Sequence, residues 1–338
     1  MAEFETLHEA HRATRRGKRR SCEVLRFEND LAAQLWALHE ELLSGAYRPS
    51  PYAHFVVREP KIRQVFAPRY RDRVVQQALC ATVLEPALER RLIYDNAACR
   101  VGKGVHFSLD RLAGFMRHHW RKFGAEGYVL RCDVRHYFAS IRHRDLLEKL
   151  ERVFTEERTR SLLEAIVDSF EVSPGVGLPL GNQTSQWFAL LYCDGLDRLV
   201  KEHLRIHAYV RYMDDAILIH PEKDYLKHCL KLMMEWTDDA GLEFNAKTQI
   251  FPLSAGIPYL GFHSRLTPTG GVTRRVSPET VRRMRRRLAA LQGAYERGEA
   301  DAFAVHQSVS SYIAHLSHGD TYGLRQAAIE PLAFKHNR

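Results

Sequence analysis

The sequence predicts an α+β fold, a mostly antiparallel sheet packed on helices, with helical lobes at both ends. Three observations carry this. Residues 207–212 and 216–220 are β-rich runs that flank Met213-Asp214-Asp215 and read as a hairpin. Residues 128–133, Tyr-Val-Leu-Arg-Cys-Asp, read as a buried strand. Helical stretches separate and surround these runs, so the order is mixed: strand, helix, hairpin, helix, strand.

The remaining elements follow in chain order. Residues 28–44 repeat with a helical period that puts Leu31, Leu35, Leu38 and Leu42 on one face, and Gly45 closes that helix. Residues 53–67 read as two short strands around a Glu59–Pro60 turn, and residues 70–93 as helix interrupted at Pro86. Residues 143–170 form one or two helices. Pro174, Gly175, Gly177 and Pro179 mark a loop, after which 183–204 reads as one long apolar helix. Residues 224–240 are helical, 249–265 contain short strands, and from Ser277 the pattern is helical and basic, as for a separate lobe.

Composition narrows the class. The chain has 338 residues, 45% of them hydrophobic and 27% charged, which suits two or three packed subdomains and excludes a disordered chain or a collagen-like fibre. Apolar stretches such as Trp187–Cys193 fall far short of the roughly 18 residues of a spanning helix, so no membrane association is expected. The first twenty residues lack the apolar core of a secretory signal. Six cysteines without a CxxC pair argue against a disulfide scaffold or a zinc finger and fit a reduced, cytoplasmic setting.

The net charge of +9 implies a polyanionic partner, most simply nucleic acid. Its distribution sharpens this. Residues 11–20 hold six Lys/Arg and no acid, and residues 274–287 hold seven Arg and one Glu. Arg58 to Lys103 carries ten Lys/Arg against five acids. Three separate segments suit a long groove; the competing readings are solvated helix faces and, for the first, a frayed terminus.

The acids are placed differently. Asp214 and Asp215 sit at the tip of an otherwise apolar hairpin, and Asp133 ends another apolar strand. A turn pair of acids is ordinarily solvated. If the strands are neighbours, however, Asp133 and Asp214 converge, and clustered carboxylates repel unless cations join them. Two hard ions such as Mg²⁺, about 3.5–4 Å apart, run in-line phosphoryl chemistry.

Tyr212-Met213-Asp214-Asp215 resembles the YxDD box of reverse transcriptases, and further matches occur in the family's order. Arg63-Gln-Val-Phe-Ala-Pro and Cys99-Arg-Val-Gly-Lys-Gly104 look like the two fingers motifs. Asp133 with Phe138 resembles motif A, Gly177–Gln186 motif B, Gly241–Thr248 motif D and Tyr259–Phe262 motif E. The likeness covers about residues 50–265. It implies a right-hand polymerase: a basic N-terminal arm over 1–20, fingers over 21–127, a palm over 128–265 with a fingers segment near 145–182, and a helical thumb over 266–338.

By this resemblance Asp133, Asp214 and Asp215 are the catalytic acids and hold two Mg²⁺ ions, or Mn²⁺ as a substitute, helped by the Val134 carbonyl; Asp215 has the lesser part. Lys247 matches the motif D lysine that protonates pyrophosphate, against a plain phosphate contact or a solvated lysine. Phe138 matches the steric gate that selects dNTPs, against a core Phe following a strand. Lys61 and Arg63 would grip the β- and γ-phosphates, with Lys61 alternatively a surface charge. Leu180, Gly181 and Gln186 border the incoming nucleotide. Arg100 and Lys103, in a glycine-bearing loop, suit phosphate contact, a plain turn being the alternative. Arg282, Arg283 and Arg286 would hold nucleic acid. Tyr312, His315, His318 and Tyr322 suit either nucleic acid or core.

Motif B departs from the retroviral Gln-Gly-x-x-x-Ser-Pro, reading Leu180-Gly-Asn-Gln-Thr-Ser-Gln186. This resembles the reverse transcriptases of diversity-generating retroelements, and the length after Phe262 leads to the expectation of a thumb without another enzyme domain. That family implies error-prone cDNA synthesis at template adenines, a structured template RNA and its RNA/cDNA duplex, and a basic, oligomeric accessory variability protein. Group II intron-like, retron and phage-defence reverse transcriptases share the palm motifs. A silent RNA-binding scaffold is the alternative outside enzymes, and the intact acids argue against it.

Overall fold

A computed structural model describes residues 1–58, 62–329 and 332. The N-terminal part holds helices α1 (Phe4–Thr14), α2 (Cys22–Glu28) and α3 (Leu31–Ser44), a hairpin of β1 (Ala53–Val57) and β2 (Arg63–Ala67), and helices α4 (Tyr70–Leu79) and α5 (Glu85–Glu89). Helix α6 (Val105–Phe123) leads into β3 (Tyr128–Asp133). Helices α7 (Tyr137–Ser140), α8 (His143–Glu151), α9 (Glu157–Val167), α10 (Gln183–Tyr192) and α11 (Asp194–Arg198) follow. Next come the hairpin β4 (Tyr209–Tyr212) and β5 (Asp215–His220), helix α12 (Lys223–Asp239) and strand β6 (Gln249–Pro252). The C-terminal part is β7 (Ile257–Tyr259), β8 (Phe262–Leu266), β9 (Val272–Val276), α13 (Pro278–Glu296), α14 (Ala302–Leu316) and α15 (Tyr322–Ile329).

The centre is a sheet in the order β4-β5-β3-β6, every pair antiparallel. Both its faces are covered. Val129, Val210, Ile217 and Ile219 pack on Leu109, Leu112 and Met116 of α6. Leu130, Cys132, Tyr209 and Leu218 pack on Leu226, Cys229 and Met233 of α12. Double burial explains why Ala216–Ile219 is apolar at every position. At about 1.5–3 kcal/mol per fully buried large side chain, these two layers hold the sheet. The α+β class expected from the sequence is the class observed.

Several elements differ from expectation. The residues expected as a basic arm begin with α1, whose Leu7, Ala10 and His11 are buried against Val74 and its neighbours on α4; the basic residues from Arg15 to Arg20 follow it. The helix expected from residue 28 starts at Leu31, because α2 ends at Glu28 and Asn29-Asp30 turns the chain. In the 70–93 stretch the break precedes Pro86. Residues Cys80–Leu84 form a wide π-turn, closed by Glu85 N–H donating to the Cys80 carbonyl. Pro86 has no N–H and crowds the preceding turn, so a wider turn relieves the clash. The 183–204 helix is broken at Cys193, and two residues on, Gly195 lies close against the Trp236 ring, where a Cβ would stand 3.0 Å from it. Strand β9 was not expected, since Val-Thr-Arg-Arg-Val carries polar residues at its centre. It pairs with β8, and Arg274 on it reaches Asp110 of α6 at 2.8 Å.

No helix among the described residues is long and apolar enough to cross a membrane. All six cysteines are free.

Candidate active site

The hairpin concentrates chemistry at its tip. Tyr212 pairs with Asp215, so Met213 and Asp214 form the turn, Met213 in the left-handed region at φ 57°. On the neighbouring strand Asp133 lies opposite Asp215. The Val134 N–H donates to the Asp214 carbonyl at 3.1 Å, joining the end of β3 to the turn. From the other side the Asn245 N–H donates to the Asp133 carbonyl at 2.8 Å, and the Asp133 N–H donates to Thr248 Oγ1 at 3.4 Å. Lys247 therefore stands between two residues that bond the Asp133 backbone, its own N–H donating to Asn245 Oδ1 at 2.8 Å.

Burial raises the pKa of Asp214 above the usual carboxylate value, the charge of Asp133 adds to this, and Arg63 opposes it. Asp133, Asp214 and Arg63 of the fingers hairpin are thus within electrostatic reach of one another. Asp215 is placed otherwise. Arg131 Nε and Nη2 donate to its two carboxylate oxygens at 3.2 and 2.9 Å. Burial still pushes Asp215 up to about 6, Arg131 working against it. Of the three acids expected to share metal ions, Asp215 is the one that carries an ion pair, while the charges of Asp133 and Asp214 still act to raise its pKa. Among the described residues no group of three or more His, Cys, Asp or Glu side chains is arranged to hold a metal. Two carboxylates remain a fit for Mg²⁺, which binds through one or two carboxylates together with substrate phosphates.

Motif B sits against the fingers hairpin. The Phe66 N–H donates to the Leu180 carbonyl at 3.1 Å. Gly181, at φ 117°, lies so close to Val65 that a Cβ there would stand 3.1 Å from its Cγ1, so the turn needs glycine. Gln186 accepts at Oε1 from the Cys99 thiol at 2.6 Å, which joins this motif to the second fingers motif. Phe138 is half-buried, packed against the core below α10, and its carbonyl accepts from the Leu178 N–H at 2.8 Å.

Other expected residues are placed elsewhere. Arg100 is buried, and its guanidinium donates to both carboxylate oxygens of Glu89 at 2.6 Å and to the Ile93 and Asn96 carbonyls. Its donors are committed inward, so it braces this loop and leaves none for the phosphate contact expected of it. Lys103 lies 4.6 Å from the Tyr94 ring centroid and donates to the Tyr94 carbonyl, and burial lowers its pKa to about 8. Arg282, Arg283 and Arg286 line, with Glu279, a shallow concavity of about 390 Å³ on α13. His315 of α14 packs at a tilt on Phe262, and His318, just past α14, stacks on His106, tying this region to the body; Tyr322 is exposed. Lys61 lies outside the described residues.

Two arginines that border the acids were not singled out from the sequence. Arg131 is one. The other is Arg211, two residues before Met213, whose fully buried guanidinium pairs with Asp197 of α11. Each sits inside a strand, where the sequence pattern offers only a charged residue among apolar ones.

Residues 58–264 match the family model described as reverse transcriptase (RNA-dependent DNA polymerase). Protein YkfC of Escherichia coli (strain K12) is 26% identical over 186 residues, 51% of this chain and 46% of YkfC. The structure of telomerase from Candida albicans in complex with a TWJ fragment of telomeric RNA is similar at a TM-score of 0.53, with 11% identity, covering 88% of this chain and 59% of that one. Apo telomerase from Candida tropicalis, truncated from its C-terminal domain, gives a TM-score of 0.50 and 14% identity, with coverages of 69% and 58%. The chain spans about half the length of YkfC and less than two-thirds of either telomerase chain. The structural likeness is one of fold, and that fold is the right-hand polymerase.

Proposed function

The chain belongs to the reverse transcriptase family, and from that premise we propose that it copies a template RNA into DNA at the Asp133–Asp214 site. The observation that supports the reading is that Asp133 and Asp214 lie at one end of the sheet, the Val134 N–H bonded to the Asp214 carbonyl, with both Asp133 and Arg63 close enough to shift the Asp214 carboxyl. Asp133 and Asp214, with the Val134 carbonyl, would hold Mg²⁺, or Mn²⁺ in its place. Bound there, such a cation would lower the pKa of the primer hydroxyl and neutralise charge on the triphosphate.

The chain's own residues do the rest. Arg63 grips the β- and γ-phosphates of an incoming dNTP with a planar fork. Lys247, held beside the Asp133 backbone, donates a proton to the departing pyrophosphate. The Phe138 ring excludes a 2′-hydroxyl. The arginines of α13 hold the RNA/cDNA duplex through its phosphates. Primer extension on an RNA template tests this. Asp133→Ala and Asp214→Ala are expected to abolish dNTP incorporation, and EDTA to stop synthesis while leaving most RNA binding. Activity that survives either substitution would refute the site. RNA binding without extension by the wild type would instead favour the silent scaffold.

The finer reading is an error-prone enzyme of a diversity-generating retroelement, working with a basic, oligomeric accessory protein. Support comes from motif B. The Leu180 carbonyl is held by Phe66, so its side chain is the variable part, and an aliphatic group cannot hydrogen-bond a nucleotide sugar. One such bond is worth about 0.5–1.5 kcal/mol, roughly tenfold in selection. Leu180→Gln is expected to lower misincorporation at template adenines when the cDNA is sequenced. An unchanged adenine error rate would sink the part given to Leu180; group II intron-like, retron or phage-defence reverse transcriptases are the alternative types.

A further inference from the structure

The turn that carries Asp214 is held by a charge that strand β4 has no evident need to bury. Arg211 is 2% exposed and Asp197 0%. Arg211 Nε and Nη2 donate to the two oxygens of Asp197 at 2.7 Å each. Asp197 also accepts from the Tyr209 hydroxyl at 2.7 Å and from Asn96 Nδ2 at 3.2 Å. The remaining nitrogen of the guanidinium is the informative one: Nη1 donates to the Met213 carbonyl at 2.8 Å.

Stability alone is a poor reason for such a pair. Replacing a buried ion pair by apolar residues of similar volume is often neutral or stabilising. An apolar residue, however, cannot donate to Met213. That residue sits in the left-handed region, a conformation that costs of order 1–3 kcal/mol and persists only where its surroundings impose it. The turn has two peptide carbonyls to fix. Val134 N–H holds that of Asp214 from the β3 side. β4 is the edge strand of the sheet, and on that side Arg211 holds the carbonyl of Met213.

We propose that Arg211, clamped by Asp197, is a positioning residue: its tether on the Met213 carbonyl sets the peptide that aims the Asp214 carboxylate at Asp133. The proposal rests on the polymerase reading of the site and concerns how that site is kept aligned.

The test compares the wild type with the double variant Arg211→Met/Asp197→Leu, which removes both charges and the tether together. A control separates alignment from folding: thermal unfolding and template RNA affinity close to wild type. With that control met, primer extension is expected to lose about 10²-fold in kcat, the scale of a reacting group misplaced by about 1 Å, with KM for dNTP unchanged within about twofold. Mn²⁺ titration followed by electron paramagnetic resonance reads the same site without turnover and is expected to show weaker binding in the variant. Unchanged kcat with unchanged Mn²⁺ affinity would overturn the tether, as would a rise in KM alone. Should the double variant not fold, Arg211→Lys, which keeps the charge but not the fork, decides on the same two readouts. A wild type that binds Mn²⁺ but extends no primer would sink the polymerase reading, and the Mn²⁺ comparison would still decide the tether.

Discussion

Two Arg–Asp pairs bracket the same hairpin, and they differ in almost every physical respect. On one side Arg211 and Asp197 are 2% and 0% exposed as side chains, bonded at 2.7 Å, and joined by Tyr209 and Asn96. On the other, Arg131 and Asp215 are 22% and 14% exposed, bonded at 2.9 and 3.2 Å. The first is sealed between the sheet and α11. The second opens toward the acids that would meet substrate. A sealed pair suits a fixed scaffold, since breaking it strands a charge in the interior. A partly wet pair can exchange partners cheaply, since water and ions compete for both halves.

The strongest way to break this contrast is at the acids themselves. Asp214→Asn removes a carboxylate of the unpaired couple and is expected to cost several kcal/mol of transition-state stabilisation, about 10³-fold in kcat. Asp215→Asn removes a carboxylate already neutralised by Arg131 and is expected to cost roughly tenfold. Single-turnover primer extension measures both. Equal losses would mean that Asp215 leaves Arg131 during the reaction and that the two carboxylates are equivalent.

Stability gives the next largest effect. Arg211→Met alone leaves Asp197 buried and unpaired, and is expected to destabilise by about 3–5 kcal/mol. Arg131→Met is expected to cost about 1 kcal/mol or less. Urea unfolding of both variants checks this, and similar losses would remove the distinction.

How legible these features were depends on what each residue does to the pattern around it. The palm strands were readable because a short apolar run bounded by acids and turns has few ways to fold except as a buried strand. The N-terminal segment was not: the basic run from Arg15 to Arg20 just after α1 dominates its pattern, and the apolar stripe of Leu7 and Ala10 is too short to announce burial. Pro86 signalled a break, but not that the strain would be taken up one turn earlier at Cys80–Leu84. Strand β9 was hidden by Thr273, Arg274 and Arg275, since the partners of Arg274 lie on α6 and beyond α14. Arg100 and Arg211 illustrate the general difficulty. A charge within a motif reads as a contact to ligand or solvent, and only the fold reveals whether Glu89 or Asp197 waits behind it.

A smaller effect separates the pairs by pH. Burial, outweighing Arg131, pushes the Asp215 carboxyl from an ordinary value of 3.8 up to about 6 in the folded chain. Between those values the folded state binds more protons than the unfolded one, so stability falls as pH rises through about 4 to 6 and is level above. In EDTA, melting temperatures at pH 4.5 and 7 are expected to show this slope in the wild type. Asp215→Asn should reduce it, leaving the share of Asp214, whose carboxyl burial also raises, and Arg131→Met should extend it upward, because the guanidinium that opposes the shift is gone. A slope that Asp215→Asn leaves unchanged would belong to another group.

Salt provides the finest discrimination. At about 1 M ionic strength the screening length falls to about 3 Å, so ions reach any pair that water reaches. The loss caused by Arg131→Met, about 1 kcal/mol or less at low salt, is expected to shrink toward zero when urea unfolding is repeated in about 1 M NaCl. The loss caused by Arg211→Met should stay the same, since no ion can approach a guanidinium that is 2% exposed. The double-mutant cycle between Arg131 and Asp215 isolates the pair from the general effect of salt on the hydrophobic core. If the Arg211 loss also shrinks with salt, the interior pair is hydrated in solution. Its hold on the Met213 carbonyl would then be too loose to aim Asp214, and the scaffold and the exchangeable pair would be one kind of interaction rather than two.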